Sequence, residues 1–365
     1  KTWNKNTTSI IFSLLKILAL PFLFMVLFNN GPEFLMNKDV IPFIWNKIVI
    51  PVTTIVPVGS IFLSLIISYG LMEFVGVFMR PVMKPIWKTP GRSAIDAVAS
   101  FVGSYSLALL ITNRVYKEGK YTTKEAVIIA TGFSTVSATF MVIVAKTLDL
   151  MDSWNLYFWL TVIVTFLVTA ITARIYPIRN KSDAYFENQE GDIEKDIPKE
   201  KFKVAFNEGM EVCTNSGSIL ENVIINLKDG IMLAFNIGPS LLAIGTLGIV
   251  LANHTPIFDW IGYLIYPFTL VSGFEQPLLI AKALALGIAE MFLPAVLVTK
   301  LSFEVKMLVA ITCVSEVLFF SASIPCMMAT NIPISFKDYL IIWFERVVLS
   351  ILVSIPLIYL VKVLM

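Results

Sequence analysis

Runs of about twenty apolar residues limit the fold of this chain more than any other feature of its sequence. A helix needs about 20 such residues to cross the hydrocarbon of a bilayer. Only 15% of the 365 residues are charged and 57% are hydrophobic, whereas a typical soluble domain has about 25% charged residues. We therefore predict an all-α polytopic membrane protein, with spans at residues 10–28, 52–72, 126–148, 156–176, 231–251, 307–328 and 339–360.

The composition also argues against several functional classes. The net charge of +2 provides no field that would attract nucleic acid. His254 is the one histidine of the sequence and the three cysteines are scattered, so we expect no metal site of the zinc type. The sequence contains no phosphate-binding loop motif and no recognisable catalytic set. We expect no enzyme activity and no cofactor, apart from Na⁺ as a candidate coupling ion.

A charged segment divides the chain into two halves that share one order of features. Acidic residues crowd the start of this segment, which we predict to be solvent-exposed and to contain an amphipathic helix that begins at Lys201. Residues 149–157 are echoed by residues 331–339, which indicates an internal repeat. We predict an N-terminal transmembrane helix and external loop at 1–50, a first repeat at 51–178, a cytoplasmic linker at 179–229 and a second repeat at 230–365.

Two basic loops determine the predicted topology. Residues 80–92 carry four basic side chains and no acidic one, and residues 114–124 carry four basic side chains and one acidic one. The positive-inside rule places both loops in the cytoplasm, so the apolar stretch 94–113 should enter and leave on one side as a re-entrant hairpin. Three crossings and one hairpin per half would invert the second repeat, whose own hairpin falls at 277–299. Inverted repeats with broken helices are typical of secondary transporters.

Glu316 is the most informative polar residue within an apolar run. An acidic side chain at the centre of a transmembrane helix costs roughly 2.5–3.5 kcal/mol on insertion scales, which favours a role with a solute, an ion or a proton. The alternative is a buried carboxyl group paired with a lysine or a hydroxyl. Ser321, Ser323 and Pro325 predict a local unwinding nearby. Helical spacing predicts that one face carries Thr312, Ser315, Glu316, Phe319 and Ser323.

Other polar positions complete the predicted site. The stripe of Thr131, Ser134 and Thr135 is either a solute-facing wall or a surface for close helix packing. Glu275 and Gln276 precede a proline and are either solute contacts or part of a helix N-cap. The predicted solute-binding residues are Ser104, Tyr105, Thr131, Ser134, Thr135, Glu275, Gln276, Ser315, Glu316 and Ser323. The predicted ion-coupling residues are Glu316 and Ser321.

Several of these segments resemble those of known membrane proteins. Residues 131–137 resemble the polar span that follows the first hairpin of concentrative nucleoside transporters, and residues 313–323 resemble the unwound span of their second repeat. The whole chain more closely resembles the YjiH-like membrane proteins of the nucleoside-recognition (Gate) group, through residues 112–120, 130–137 and 315–334. The resemblance implies two inverted Gate-type repeats, each with a re-entrant helical hairpin, and a place in the bacterial inner (plasma) membrane.

The residues and the resemblance together predict an ion-coupled secondary transporter, driven by Na⁺ or H⁺, for a small polar solute such as a nucleoside, an amino acid or a peptide. Residues 102–106 differ from the nucleoside-transporter pattern, so the solute class stays open. The alternative is a non-transporting membrane scaffold or a partner subunit of another Gate-domain protein. The expected partners are the solute, the lipid bilayer, and either a second copy of this chain or a second Gate-domain protein.

Overall fold

The computed structural model describes residues 7–364 except 39, 193 and 195–199. Within these ranges the regular structure is helical, as the apolar runs predict. The α-helices are α1 Thr7–Phe28, α2 Glu33–Met36, α3 Ile41–Phe43, α4 Ile50–Ser68, α5 Leu71–Trp87, α6 Ala94–Val102, α7 Tyr105–Lys117, α8 Thr123–Gly132, α9 Ala138–Thr147, α10 Trp154–Thr172, α11 Lys201–Asn215, α12 Ile219–His254, α13 Ile257–Leu270, α14 Pro277–Leu286, α15 Leu293–Leu297, α16 Phe303–Ser315, α17 Ser323–Met328 and α18 Phe336–Leu364.

Among the described residues, three helical segments are long and apolar enough to cross a membrane. They are Glu33–Phe62, Met151–Thr172 and Phe336–Lys362. Within the first of these, a π-helical stretch, Ile44–Val49, joins α3 directly to α4. Side chains that face away from the protein on these helices are large and apolar, as a lipid environment requires. The prediction of an all-helical membrane protein is therefore confirmed.

The helices of the two halves follow one another in the same order. In the first half a long helix (α4) precedes a shorter one (α5), a pair of short helices (α6 and α7), two helices separated by a break (α8 and α9) and a long helix (α10). The second half runs through the same order from α12 to α18. The inversion of the second half and the entry and exit of each helix pair on one side of the membrane stay predictions.

Each helix pair consists of two short helices joined by a tight connection. We call α6 and α7 the first helix pair and α14 and α15 the second helix pair. Gly103 and Ser104 join the first pair, and the Ser104 hydroxyl accepts a hydrogen bond from the Leu107 amide at 3.3 Å, which caps α7. Residues 287–292 join the second pair. Neither pair is long enough for two full crossings, because their helices of 9, 13, 10 and 5 residues span only about 8 to 20 Å each.

Two of the predicted spans are interrupted at corresponding places. The first break covers residues 133–137, between α8 and α9, and the second break covers residues 316–322, between α16 and α17. The unwinding predicted near Ser321 is present, but it begins earlier, at Glu316. The prediction of one helical face from Thr312 to Ser323 is therefore wrong beyond Ser315, because the helix ends there.

The linker lies against the first half of the chain. In it, α11 packs on α5, where the rings of Phe202 and Phe74 meet edge to face with centroids 6.0 Å apart. The amphipathic helix predicted to start at Lys201 is thus present and ends at Asn215. The prediction that this segment is solvent-exposed is wrong at Glu194, whose side chain is only 8% exposed.

Candidate functional site

The Glu316 carboxylate lies at the point where α16 stops. The residue is fully buried, and its Oε2 accepts a hydrogen bond from the Trp343 indole at 3.1 Å. Its Oε1 has no hydrogen-bond partner among the described residues. The carboxylate packs directly on Gly287, where an added Cβ would collide with both of its oxygens. A buried carboxylate with one unused oxygen is able to receive a proton, a cation or a hydroxyl donor.

Arg346 brings a second buried charge to the same place. Its side chain is fully buried, and its Nε donates to the Ser315 carbonyl at 2.8 Å. Trp343 and Arg346 are three residues apart on α18, so one face of that helix contacts both Ser315 and Glu316. The guanidinium also lies at the C-terminal end of α16, where the helix dipole favours positive charge.

Arg346 further connects the ends of the two broken helices. Its Nη1 donates to the Thr169 hydroxyl oxygen at 3.1 Å. The single hydrogen of that hydroxyl has two acceptors within reach, the Gly132 carbonyl at 3.0 Å and the Thr165 carbonyl of its own helix at 2.7 Å. Gly132 is the last residue of α8, as Ser315 is the last residue of α16. Arg346 and Thr169 therefore lie between the carbonyl groups at the ends of the two broken helices. The Nη2 atom of Arg346 is without a partner in the part of the chain that the structure describes.

The second break pairs with the second helix pair. The amide of Phe320 donates to the Ile288 carbonyl at 2.6 Å, and the amide of Ser321 donates to the Ala289 carbonyl at 2.9 Å. The Ser321 hydroxyl bonds to the carboxylate of Glu290, which is 3% exposed. These contacts satisfy backbone groups that have no water at this depth, and they join the break to residues 288–290.

The first break contacts the first helix pair in a comparable way. The Ser100 hydroxyl donates to the Thr135 carbonyl. Ser134 is buried, and its hydroxyl lacks a hydrogen-bond partner within the described ranges. Thr131 instead donates to the Val127 carbonyl of its own helix at 2.7 Å, so its hydroxyl is already used.

Aromatic contacts join each helix pair to the opposite half. The ring of Tyr105, at the tip of the first helix pair, meets Phe319 of the second break with centroids 5.9 Å apart. The ring of Phe292, in the second helix pair, meets Phe140 of α9 with centroids 6.2 Å apart. The two helix pairs and the two breaks therefore form one cluster at the centre of the chain, which we call the central junction.

The structure brings most of the predicted solute and ion residues to the central junction. In its second half they lie in or beside the second break: Ser315, Glu316, Ser321 and Ser323. In its first half they lie at the first break or the first helix pair: Thr131, Ser134, Thr135, Ser104 and Tyr105. Several of these hydroxyls serve the backbone, as Ser323 does when its oxygen accepts from the Phe319 amide at 2.9 Å.

Glu275 and Gln276 are not brought to the central junction. Both side chains are exposed at the first turn of α14, whose ten residues place them about 15 Å from Gly287 along the helix. Glu275 accepts a hydrogen bond from the Ser302 amide, at the start of α16, with a distance of 2.5 Å. This contact is with the residue that precedes α16, whereas α14 itself begins without a side-chain cap, so the N-cap considered as the alternative for this pair is not observed.

The predicted site leaves out other residues of the junction: Gly132, Thr169, Gly287, Glu290, Trp343 and Arg346. An arginine and a glutamate within apolar runs were the signal available for two of them, Arg346 and Glu290. Trp343 and Gly287 have no such signal, because their roles come from contacts across distant segments. Among the described residues, no group of three histidine, cysteine or carboxylate side chains could hold a metal ion.

Comparisons with known proteins agree with this architecture. The Gate family, described as nucleoside recognition, matches residues 49–151. An uncharacterised protein of Alkalihalophilus pseudofirmus is 31% identical over 333 residues, which are 90% of this chain and 72% of that protein. A doubly substituted variant of CNTnw in an outward-facing state superimposes with a TM-score of 0.60 at 13% identity, over 97% of this chain and 86% of that one. CNTnw in an inward-facing substrate-bound state gives a TM-score of 0.46 at 12% identity, over 97% and 87%.

The identity to the Alkalihalophilus protein establishes the family, and the CNTnw superposition establishes the fold alone. Together with the helical spans they describe a membrane protein with the fold of CNTnw. The chain belongs to the family of membrane proteins with a Gate nucleoside-recognition domain.

Proposed function

We propose that this protein is a secondary transporter that carries a small polar solute, in the first place a nucleoside, through the central junction. The observation that carries the proposal is Glu316, a fully buried carboxylate with one oxygen that no described residue bonds. It lies between a helix break and a helix pair, where solute and ion sites of secondary transporters are found. The Gate match and the CNTnw fold support the same function.

The chemistry of the junction suits a nucleoside. Tyr105 and Phe319 offer aromatic faces and edges against which a base can stack. The free oxygen of Glu316 can accept from ribose hydroxyls, and the Ser134 hydroxyl can donate or accept. An amino acid or a small peptide is the other solute class, since Glu316 and Arg346 together could bind an ammonium and a carboxylate group.

We assign ion coupling to Glu316 and Ser321, which lie in the same junction. A proton on Glu316, or Na⁺ bound there and at the Ser321 hydroxyl, would neutralise the carboxylate in a medium where isolated charge is costly. Solute release would then depend on the ion, because both share one carboxylate. Movement between the two access states would open and close the contacts between residues 316–322 and residues 287–292.

The orientation in the membrane is also a proposal. We place the chain in the bacterial plasma membrane with the linker in the cytoplasm, because the basic loops 80–92 and 114–124 favour that side. On this basis residues 51–178 and 230–365 are two inverted repeats around the linker. The protein would act as a single chain, as a homo-oligomer or with a second Gate-domain protein.

Uptake into proteoliposomes tests the function. Purified protein should accumulate radiolabelled uridine under either an inward Na⁺ gradient or an inward pH gradient, and the effective gradient identifies the ion. Glu316→Gln should abolish accumulation, because the uncharged amide neither binds Na⁺ strongly nor exchanges a proton. Glu33→Gln, an exposed residue of α2, is the matched control and should leave uptake unchanged.

Competition with unlabelled solutes then identifies the solute class. Inhibition by other nucleosides supports nucleoside transport, and inhibition by amino acids or dipeptides alone supports the second class. If no solute is taken up and a second membrane protein co-purifies in equal amount, the chain is a partner subunit and the transport proposal is wrong. Equal accumulation by wild type and Glu316→Gln would remove Glu316 from the mechanism.

A further inference from the structure

Outside the central junction, two buried arginines hold a carboxylate of the linker. Arg80 Nε donates to one oxygen of Glu194 at 2.9 Å, and the Gly91 amide donates to the same oxygen at 2.9 Å. The amide and Nε of Arg92 donate to the other oxygen at 3.1 and 3.2 Å. The side chains of Arg80, Arg92 and Glu194 are 6%, 5% and 8% exposed. We call this group of donors, from Arg80, Gly91 and Arg92, the arginine clamp.

The arginine clamp carries more positive charge than the single carboxylate of Glu194 neutralises. Arg80 Nη1 is buried and has no hydrogen-bond partner among the residues that the structure describes. Nη1 lies on the edge of the planar guanidinium opposite the Nε–H group, so this unused donor points away from the bound carboxylate. Two guanidinium charges also exceed the single charge of Glu194, and the chain supplies a second negative charge from Asp192, which accepts from Arg92 Nη1 at 2.8 Å.

The charges of the clamp are matched by these two acids. Burial alone would lower the pKa of Arg92, but the hydrogen bond and charge of Asp192 and the charge of Glu194 outweigh burial and raise that pKa. Asp192 and Glu194 are two residues apart and present two negative charges side by side. A dianionic phosphoryl group has the same charge as these two acids together and offers three oxygens to the donors that now hold Glu194.

We propose that the arginine clamp is a binding site for a dianionic phosphoryl group, and that Asp192 and Glu194 occupy it as an internal stand-in. Buried arginines and backbone amides at the start of a helix are the usual partners of such a group. Here the amides belong to Gly91 and Arg92, at the start of the helical stretch that continues into α6. The proposal is independent of the transport function.

A cavity beside the clamp provides room for the rest of a ligand. It has a volume of about 560 Å³, and both Arg92 and Glu194 line it. Lys120, also in its wall, is paired with Glu73 at 2.9 Å. Glu208 and Glu211 line the cavity as well, so they favour a ligand whose remaining part is neutral or cationic. The ligand could be a soluble phosphate monoester or the phosphate of a lipid such as phosphatidic acid.

Displacement of the stand-in would remove the contact between Glu194 and the start of α6. Two other contacts of the linker do not involve the displaced carboxylates. Gln189 donates to the Lys117 carbonyl at 2.9 Å, and the Asp192 amide donates to the Gly119 carbonyl at 2.9 Å.

Phosphate binding by the purified full-length chain tests the proposal. A tethered competitor acts at an effective concentration in the millimolar range, so wild type should bind inorganic phosphate weakly. The double variant Asp192→Asn/Glu194→Gln should bind it at least about tenfold more tightly by isothermal titration calorimetry, because the competitor is removed. Glu187→Gln/Glu190→Gln makes the same charge change at exposed linker positions and should bind as wild type does.

Two further measurements keep the test decisive. Adding Arg80→Gln to the double variant should abolish the gain, whereas Arg80→Lys should retain part of it through the conserved charge. If the double variant does not fold, the single variant Glu194→Gln takes its place with the same expected direction. Equal phosphate affinity in wild type and in the Glu194 variants would overturn the proposal.

The source of the phosphoryl group is resolved by two probes. Glycerol 3-phosphate in solution should raise the melting temperature of the Asp192→Asn/Glu194→Gln variant if the ligand is a soluble monoester. Nanodiscs with phosphatidic acid should raise it, relative to phosphatidylcholine nanodiscs, if the ligand is a lipid. A melting temperature that responds to neither probe, although phosphate binds, would contradict a site with room for a larger ligand.

Discussion

At Gly287 a hydrogen atom in place of a methyl group allows the Glu316 carboxylate to pack against the second helix pair. An added Cβ would collide with both carboxylate oxygens. Gly287→Ala should therefore displace Glu316 and lower the free energy of unfolding by about 1–3 kcal/mol, the range for overpacked cores. Thermal unfolding in detergent measures the change.

Gly248→Ala is the matched control for this substitution. Gly248 is also buried and lies within α12, but the nearest atoms to an added Cβ there belong to Ala289 at 3.6 Å or more, which is ordinary contact. It should be neutral or slightly stabilising, because alanine is the better helix former. Equal destabilisation by both alanines would mean that Gly287 is not specifically required beside Glu316.

The pH dependence of stability should reflect the ion pair between Glu304 and Lys362. The hydrogen bond from Lys362, 2.5 Å long, lowers the pKa of the Glu304 carboxyl below its ordinary value of 4.5. A group with a lowered pKa stabilises the fold at higher pH, and this contribution is lost as the pH falls through the folded-state pKa. Wild type should therefore melt above Glu304→Gln at pH 7, and the difference should disappear as the pH falls below 4.5.

A double-mutant cycle provides the control for this pair. Lys362→Met should remove the same pH-dependent difference, and adding Glu304→Gln to it should have little further effect. A difference that stays constant from pH 7 down to pH 3 would show that the pair does not link stability to pH.

Individual residues of the junction differ in how far the sequence identifies them. Glu316 is identifiable because an acid within an apolar run is rare and costly. Glu275 carries the same chemistry, but the structure places it at an exposed position, where it accepts a hydrogen bond from the Ser302 amide. An acid beside a proline at a helix start does not by itself indicate how deeply the side chain is buried. Gly287 and Trp343 become relevant only through contacts with Glu316, and no local pattern predicts those contacts.

At the scale of elements, Arg346 connects the ends of α16 and α8. Its removal leaves the Ser315 carbonyl without its donor and releases the Thr169 hydroxyl. Arg346→Met keeps most of the volume, but the lost bonds should lower the free energy of unfolding by about 1–3 kcal/mol, the cost of an unsatisfied buried group.

Lys362→Met, at an exposed position of the same helix, makes the same change in charge. It should shift the free energy of unfolding by less than about 0.5–1 kcal/mol, as surface ion pairs do. Chemical denaturation of both variants measures the difference. Indistinguishable unfolding curves for the two would mean that Arg346 does not join the broken helices.

The breaks show why element boundaries were harder to predict than element types. The serines and Pro325 mark unwinding, but the chain leaves the helix at Glu316 and continues through Val317 with a φ of 60°. A β-branched residue such as valine rarely adopts this conformation. The intrinsic preference of Val317 therefore does not predict a turn at this position. Pairing of Phe320 and Ser321 with residues 288–289 holds the turn in place, and those partners lie about thirty residues earlier in the chain.

At the scale of the whole molecule, hydropathy and basic loops predict the class of fold. The bilayer requires every membrane-spanning helix to have a similar length and an apolar surface, and basic loops favour the cytoplasmic side. The position of the linker was not predictable in the same way. The acidic residues of the linker predict that it is exposed to solvent, yet the Glu194 side chain lies in the arginine clamp. The turn after α5 brings Arg80 and Arg92 together, and both bind Glu194. Long-range pairing of this kind leaves no periodic signal in the sequence.

Cysteine labelling tests the orientation proposed for the whole chain. Cys213, in α11 of the linker, is half-buried, whereas Cys313 and Cys326 are fully buried. A membrane-impermeant maleimide should leave intact cells unlabelled and should label Cys213 after permeabilisation. Cys213→Ser should abolish that label. Labelling of Cys213 in intact cells would place the linker outside and reverse the topology.

The most direct test of the transport account is solute counterflow. Proteoliposomes loaded with unlabelled uridine are diluted into trace radiolabelled uridine, and the same is done with an amino acid and a dipeptide. The account predicts transient accumulation of label from at least one solute with wild-type protein, and its loss with Glu316→Gln. Absence of counterflow for every solute by correctly folded protein, or equal counterflow by both proteins, would contradict transport through the junction at Glu316.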